Sequence, residues 1–312
     1  MPKRACELQP RSPSSPTPAD NPPKRCTDGT DDYWVSRYAR RSTSAAAEDD
    51  ETDETDEWLL SWDHLRPLLA PAVPTTASVL DLGCGTSTLA LDLLRDHLLS
   101  SGSVTAVDLA PAAIDAQRAE QERRTRRGQP SAGTLTLMCA DAAAPGALAG
   151  CSFDAVLDKS TTDGLLCDTH HGAGRVRQMY EAVGRTLRPS ACVAVVSWRD
   201  PQSDEGVAWL VDLVWGGLRQ AQSEATAATA APGPSERWRW SLDVHSPVLA
   251  DGSTGPHVYL LRRRVLRASP RQRQRRDVTG GGEGAGAGDG DGEDDGEVEE
   301  ELSMKLHVHE AQ

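Results

Sequence analysis

Asp81-Leu82-Gly83-Cys84-Gly85-Thr86-Ser87 follows without a break on Ser78-Val79-Leu80, and the reading of this stretch decides the fold. Ser78 to Leu82 is a short apolar strand after a turn rich in proline and threonine. The glycines after it let the backbone pass close to a ligand. Leu89 to Leu99 then carries apolar residues at helical spacing, with Thr86 and Ser87 as candidate N-caps. A helix that starts there offers unpaired amides to whatever the turn holds. This much suits any nucleotide-like ligand. A dinucleotide fingerprint needs G-x-G-x-x-G, and only Gly83 and Gly85 precede Leu89. A P-loop needs a Gly-Lys-Ser/Thr ending, which is absent.

Outward from the turn, strands and helices alternate. Val104 to Asp108 is a second strand, and Pro111 to Arg127 a helix with proline at its start. Thr134 to Cys139 and Phe153 to Leu157 are further strands. Arg175 to Leu187 is a helix stopped by Arg188-Pro189, and Cys192 to Val196 a fifth strand. Trp209 to Leu218 is apolar and helical. Trp238 to Val244 and His257 to Leu261 make a closing antiparallel hairpin. The alternation predicts an α/β domain with a mostly parallel sheet and helices on both faces. The second strand ends in Asp108, whose carboxylate can accept both hydroxyls of a ribose. The third ends at Cys139-Ala140-Asp141-Ala142, an acid for an adenine amino group among small neighbours. The first three strands thus each deliver a polar group to one edge, the edge where open α/β sheets bind ligands. The pattern left is the G-x-G turn of S-adenosylmethionine binding.

The 312 residues are 38% hydrophobic, below the globular share of about 45–50%. With 27 glycines and 20 prolines, this composition describes a folded core diluted by disordered flanks. Residues 1–30 and 265–312 read as disordered tails, and 31–264 as one domain with a low-complexity acidic loop near 39–57. Arg262 to Arg276 holds eight arginines, and Asp277 to Glu301 holds eleven acids and no base. Without those acids the net charge of −14 falls to about −3, so the domain has no basic field for nucleic acid. No apolar run reaches the ~20 residues that span a bilayer. Seven scattered cysteines match neither a zinc site nor a disulfide framework. With no apolar core for a secretory signal near the N-terminus, the cytoplasm is the expected compartment, mitochondrion and nucleus also being open. His170 and His171 sit in a glycine-rich loop without a ligand partner at metal spacing, and no metal is expected.

Four blocks carry a family resemblance: Tyr33-Trp34-Val35-Ser36-Arg37-Tyr38; Glu57-Trp58-Leu59-Leu60 with Leu65-Arg66-Pro67-Leu68-Leu69; DLGCGTS with Val107-Asp108; and Leu157-Asp158-Lys159-Ser160-Thr161-Thr162-Asp163. Together they resemble the class I, seven-β-strand S-adenosylmethionine-dependent methyltransferases. More narrowly, they are similar to the group containing the lysine methyltransferases of elongation factor 1-alpha and of citrate synthase. The resemblance covers roughly residues 31 to 200. It implies a Rossmann-like doubly wound sheet of seven strands with the antiparallel hairpin at its end, and S-adenosyl-L-methionine as cofactor. It also implies that Trp34 and Tyr38 close over the cofactor and that Trp58 packs nearby. Gly83 would lie against the methionine part, Asp108 and Leu109 around ribose and adenine, and Asp141 and Ala142 at the adenine edge. Lys159 would reach the cofactor, and Asp158 would face the methyl-acceptor channel. Ser160 stands where the family has glycine, and Thr162 and Gly164 depart from its pattern in the next few residues.

The implied reaction is methylation of a protein lysine. The (D/N)PP(Y/F) motif that serves amide and exocyclic amino nitrogens is replaced after the fourth strand by Asp158-Lys159-Ser160-Thr161. A nucleic-acid acceptor and a membrane partner are not expected. Two other readings share the same cofactor half: a small-molecule methyltransferase, and a non-catalytic cofactor-binding adaptor.

Overall fold

The computed structural model describes residues 29–45, 58–95, 101–129, 133–221, 237–247, 255–266 and 302–307. The strands are β1 (Ser78–Leu82), β2 (Ser103–Asp108), β3 (Thr134–Cys139), β4 (Phe153–Lys159), β5 (Leu187–Ser197), β6 (Arg237–His245), β7 (His257–Leu266) and β8 (Leu302–His307). They form one sheet in the order β3-β2-β1-β4-β5-β7-β6-β8. β1 to β5 are parallel neighbours, β7 runs antiparallel to both β5 and β6, and β8 is parallel to β6. The chain order reverses direction between β1 and β4, which opens a crevice at their carboxyl ends.

The helices are α1 (Asp31–Ala45), α2 (Trp62–Leu69), α3 (Leu89–Arg95), α4 (Pro111–Arg126), α5 (Thr161–Leu165) and α6 (Gly172–Gly184). A seventh, α7, covers 208–221 and is wound as a π-helix over Leu210–Trp215. The central strands are buried on both faces, and successive residues serve opposite cores. Leu80, Leu82, Val156 and Val193 pack with Val176, Met179, Tyr180 and Leu210 on the α6 and α7 side. Val79, Ala155, Leu157 and Ala194 pack with Leu65, Leu89, Leu93 and Ile114 on the α2, α3 and α4 side. Among the described residues no helix is long and apolar enough to cross a membrane.

The doubly wound sheet and the closing antiparallel hairpin stand as expected, and four local readings change. α1 continues through Ala45 into the segment read as an acidic loop, whose remainder, 46–57, lies outside the described residues. α6 begins at Gly172 rather than Arg175 and ends at Gly184, and β5 then opens at Leu187 and passes through Arg188-Pro189. Proline is tolerated there because the register jumps: Phe153 pairs with Leu187, but Ala155 pairs with Cys192. The residues between bulge out of the ladder, where no backbone donor is needed. β7 runs on to Leu266, beyond the expected domain end. Finally, Leu302–His307 joins the sheet beside β6 as an eighth strand, within the stretch read as tail. Its alternation of Leu302, Met304 and Leu306 with Ser303, Lys305 and His307 has the strand period, which composition averaged over 265–312 conceals. The other residues of both tails lie outside the described residues.

Candidate active site

The crevice at the carboxyl edge holds about 880 Å³ of free space, part of it open to solvent. Its walls include all nine residues expected to hold a cofactor: Trp34, Tyr38, Trp58, Gly83, Asp108, Leu109, Asp141, Ala142 and Lys159. Asp81, Arg175 and Met179 line it as well.

The floor is the turn after β1. Ser87 Oγ accepts from the Leu89 amide at 3.1 Å and so caps α3. Asp108 ties the turn to β2, its Oδ2 accepting from the Gly85 amide at 2.9 Å and its Oδ1 from the Ala110 amide at 2.8 Å. Burial pushes the Asp108 carboxyl upward, and the amides of Ala110, Gly85 and Leu109 oppose that rise. Each oxygen keeps a second lone pair for a ligand hydroxyl. Gln117 Nε2 holds the turn from the other side, donating to the Gly85 and Ser87 carbonyls at 3.0 and 2.6 Å. Cys84 is buried in the turn, and burial, followed by the charges of Asp81 and Asp108, drives its thiol well up. It is therefore an apolar filler and not a nucleophile.

The roof is α1, which crosses the mouth. Its Trp34 ring packs on Gly164 of α5, and its Tyr38 hydroxyl lies over Gly85. Gly85 has a φ of +52°, a backbone that favours glycine, and a Cβ on it would stand 2.5 Å from Tyr38 Oη and push that hydroxyl aside. Trp34 stacks with Tyr38 at 6.3 Å between centroids and meets the edge of Trp58 at 6.0 Å. Arg37 lies over the Trp58 ring at 5.0 Å. The spacing of Trp34 and Tyr38, one helical turn apart, is what puts both rings on one face.

Lys159 ends β4 and is nearly buried, its Nζ donating to the Trp58 carbonyl at 2.9 Å. It therefore fastens the segment before α2 to the sheet edge. Leu59 and Ser160 are the non-glycine residues with positive φ among those described, at 67° and 75°, and they adjoin the two ends of this bond. Ser160 thus adopts the left-handed backbone that the resembling family supplies with glycine. Replacing it, Ser160→Gly, should relieve the strain and stabilise the protein by about 0.5–1 kcal/mol. The check is a higher urea midpoint at constant m-value.

Asp158 differs from its expected place. It is absent from the crevice wall and fully buried beneath α5. Its Oδ1 accepts from the Thr161 and Thr162 amides at 2.9 and 3.2 Å, capping the helix. Its Oδ2 accepts from the Thr162 and Tyr180 hydroxyls at 2.5 and 2.7 Å. Burial pushes its carboxyl up to about 6, against those hydrogen bonds, with nearby Asp163 adding to the rise. It holds α5 in place from beneath the crevice wall. The reason is strand alternation: Asp158 shares the face of Val156, toward α6, whereas Lys159 follows Leu157. Thr161, which does line the crevice, bonds back to the Leu82 carbonyl at 2.6 Å and so couples α5 to the glycine turn.

Asp141 follows β3, with Oδ1 accepting from the Ala143 amide at 2.9 Å and pairing with Arg175 at 3.0 Å. Arg175 was not singled out in the sequence, where one of two arginines on α6 carries no mark. Among the described residues no three His, Cys, Asp or Glu side chains gather as a metal site.

The donor set fits S-adenosylmethionine. Asp81, Asp108 and Asp141 stand at the carboxyl ends of three neighbouring strands, suited to an ammonium, a vicinal diol and a ring amino group. Ala140, Ala142 and Leu109 leave room for a flat ring between them.

The sheet and its crevice have a Rossmann-like topology, and the family model described as "Methyltransferase domain" matches residues 79–190. Over 185 residues the chain is 30% identical to EEF1A lysine methyltransferase 4 of Bos taurus, covering 57% of this chain and 64% of that one. It is 31% identical over 163 residues to the mitochondrial citrate synthase-lysine N-methyltransferase of Homo sapiens, covering 48% of this chain and 65% of the relative. The chain therefore spans somewhat under two thirds of these relatives. A solved methyltransferase from Pyrococcus furiosus aligns with a TM-score of 0.43 at 14% identity, over 73% of this chain and 98% of that one.

Proposed function

We propose that the chain is a protein-lysine methyltransferase that uses S-adenosylmethionine, with 31–266 as the catalytic unit. The observation that carries the reading is the row of Asp81, Asp108 and Asp141 along one crevice, roofed by the aromatic face of α1. When bound, S-adenosylmethionine supplies a methyl group activated by its sulfonium charge. The chain's own residues bind, orient and exclude water. Asp108 accepts from the ribose hydroxyls, with Leu109 beside the ring. Asp141 and Ala142 take the adenine edge, and Gly83 and Asp81 take the amino-acid end. Lys159 acts through Trp58, holding that aromatic against the site.

A lysine acceptor has to lose a proton from an ammonium of pKa near ~10.4. Apolar surroundings disfavour the charged form and so help that loss. Trp34, Tyr38 and Trp58 provide such surroundings. The proton passes to water before the amine is enclosed, since Asp158 is sealed below α5. The two lysine methyltransferases among the relatives support a protein acceptor over a small molecule.

Tritium-labelled S-adenosylmethionine, mixed with purified protein and a lysate from cells lacking it, tests the proposal. A discrete labelled protein is expected, with the label on lysine and lost with Asp108→Ala. Intact binding of S-adenosylhomocysteine without any labelled protein would exclude the protein acceptor.

A further inference from the structure

Arg175 sits in the first turn of α6, its side chain only 20% exposed, on the crevice wall. One arm of the guanidinium pairs with Asp31, which opens α1. The other pairs with Asp141 Oδ1 at 3.0 Å. One side chain thus joins three segments far apart in sequence: the roof helix, the end of β3 and α6. The Ala143 amide and Arg175 both meet Asp141 at Oδ1, and Oδ2 takes no hydrogen bond among the described residues. A planar fork of fixed geometry can serve two carboxylates at once, which a lysine ammonium on a flexible stem does poorly.

We propose that Arg175 is a positioning residue that latches α1 over the bound cofactor while orienting Asp141 toward the adenine. The inference rests on the cofactor reading above and extends it to the residence time of the cofactor. α1 lies across the crevice, from Asp31 at α6, past Trp34 on Gly164, to Tyr38 over Gly85. A bound molecule therefore leaves by displacing that helix. Packing of the two rings holds its middle, and the Arg175–Asp31 pair holds its start. Losing the latch speeds release, and losing the Asp141 contact weakens adenine recognition in the same variant.

The test uses the full-length protein with S-adenosylhomocysteine as probe. Calorimetry gives Kd, and the change in tryptophan fluorescence on binding, to which Trp34 and Trp58 contribute at the site, gives rates by stopped flow. Arg175→Ala should raise Kd about tenfold, mostly through koff. Arg175→Lys should fall between it and wild type. Asp31→Asn should raise koff alone, and adding it to Arg175→Ala should change little further. Salt should speed release from wild type more than from Arg175→Ala, because only the former has a partly exposed pair to screen. Wild-type binding with Kd and koff unchanged in Arg175→Ala overturns the latch and leaves the functional reading intact. The latch is equally overturned if that variant only lowers the melting temperature of the free protein. A wild-type chain that binds no S-adenosylhomocysteine overturns the functional reading, and the latch with it.

Discussion

Asp108→Ala should abolish binding of S-adenosylmethionine, with Kd rising at least about a hundredfold. Two losses combine. The ligand loses a carboxylate acceptor for its ribose hydroxyls, and hydrogen bonds to a charged group are worth about 1.5–3 kcal/mol each. The protein loses the clamp on its own turn, since the Gly85 and Ala110 amides both donate to Asp108. Without it the Gly85 amide is buried with no acceptor, and the backbone that approaches the ligand is no longer held. Asp108→Asn separates the two losses in part. It retains one acceptor but turns an amide donor toward an amide donor, so it too should bind weakly. Calorimetry with S-adenosylhomocysteine is the check, and a Kd near wild type in the alanine variant would mean that the ribose lies elsewhere.

How far each feature could be read in advance depends on the range over which its signal acts. β1, the glycine turn and the acids that close β2 and β3 are set by period and turn chemistry within a few residues. The site built from them was accordingly legible. The α1 rings were legible because Trp34 and Tyr38 share a helical face. Arg175 was not, because its meaning lies in Asp31 and Asp141, remote partners that no local pattern pairs with it. The course of β5 through Pro189 depends on a bulge against β4, again a property of the pairing and not of the strand. Asp158 is the instructive case. Its place at the carboxyl end of β4 was apparent, and the end of a strand suggests a ligand. The alternation of the strand carried the opposite message, since Val156 and Asp158 share one face and that face meets α6. Tyr180, the partner waiting there, lies a further 22 residues along the chain.

Asp158→Ala should therefore act on stability first and on turnover only as a consequence. It would strip an acceptor from the Thr161 and Thr162 amides and from the Thr162 and Tyr180 hydroxyls. Leaving a buried polar group unpaired costs about 1–3 kcal/mol. With several groups affected, a total loss of about 3–5 kcal/mol is expected, large beside the whole stability of a domain. Asp158→Asn retains an oxygen for the amides and offers its NH2 to the two hydroxyl oxygens, so it should fold. It carries no titrating group at this position, which makes it the reference for pH dependence. The folded-state pKa of Asp158 is raised by burial to about 6, whereas an unfolded aspartate titrates near ~3.9. Between those values the folded protein binds the extra proton, so the stability that Asp158 contributes is complete below about pH 4 and is lost as pH rises through about 6. The loss amounts to about 3 kcal/mol. Asp108 and Asp163, also raised by burial, add to the same falling limb in every variant. The difference between wild type and Asp158→Asn isolates Asp158. Urea unfolding from pH 4 to 7.5 should show wild type losing stability relative to Asp158→Asn as pH rises, with the gap flat above about 7. Parallel profiles would show that the carboxyl beneath α5 ionises as an ordinary aspartate, and that the buried network with Thr162 and Tyr180 does not hold the proton.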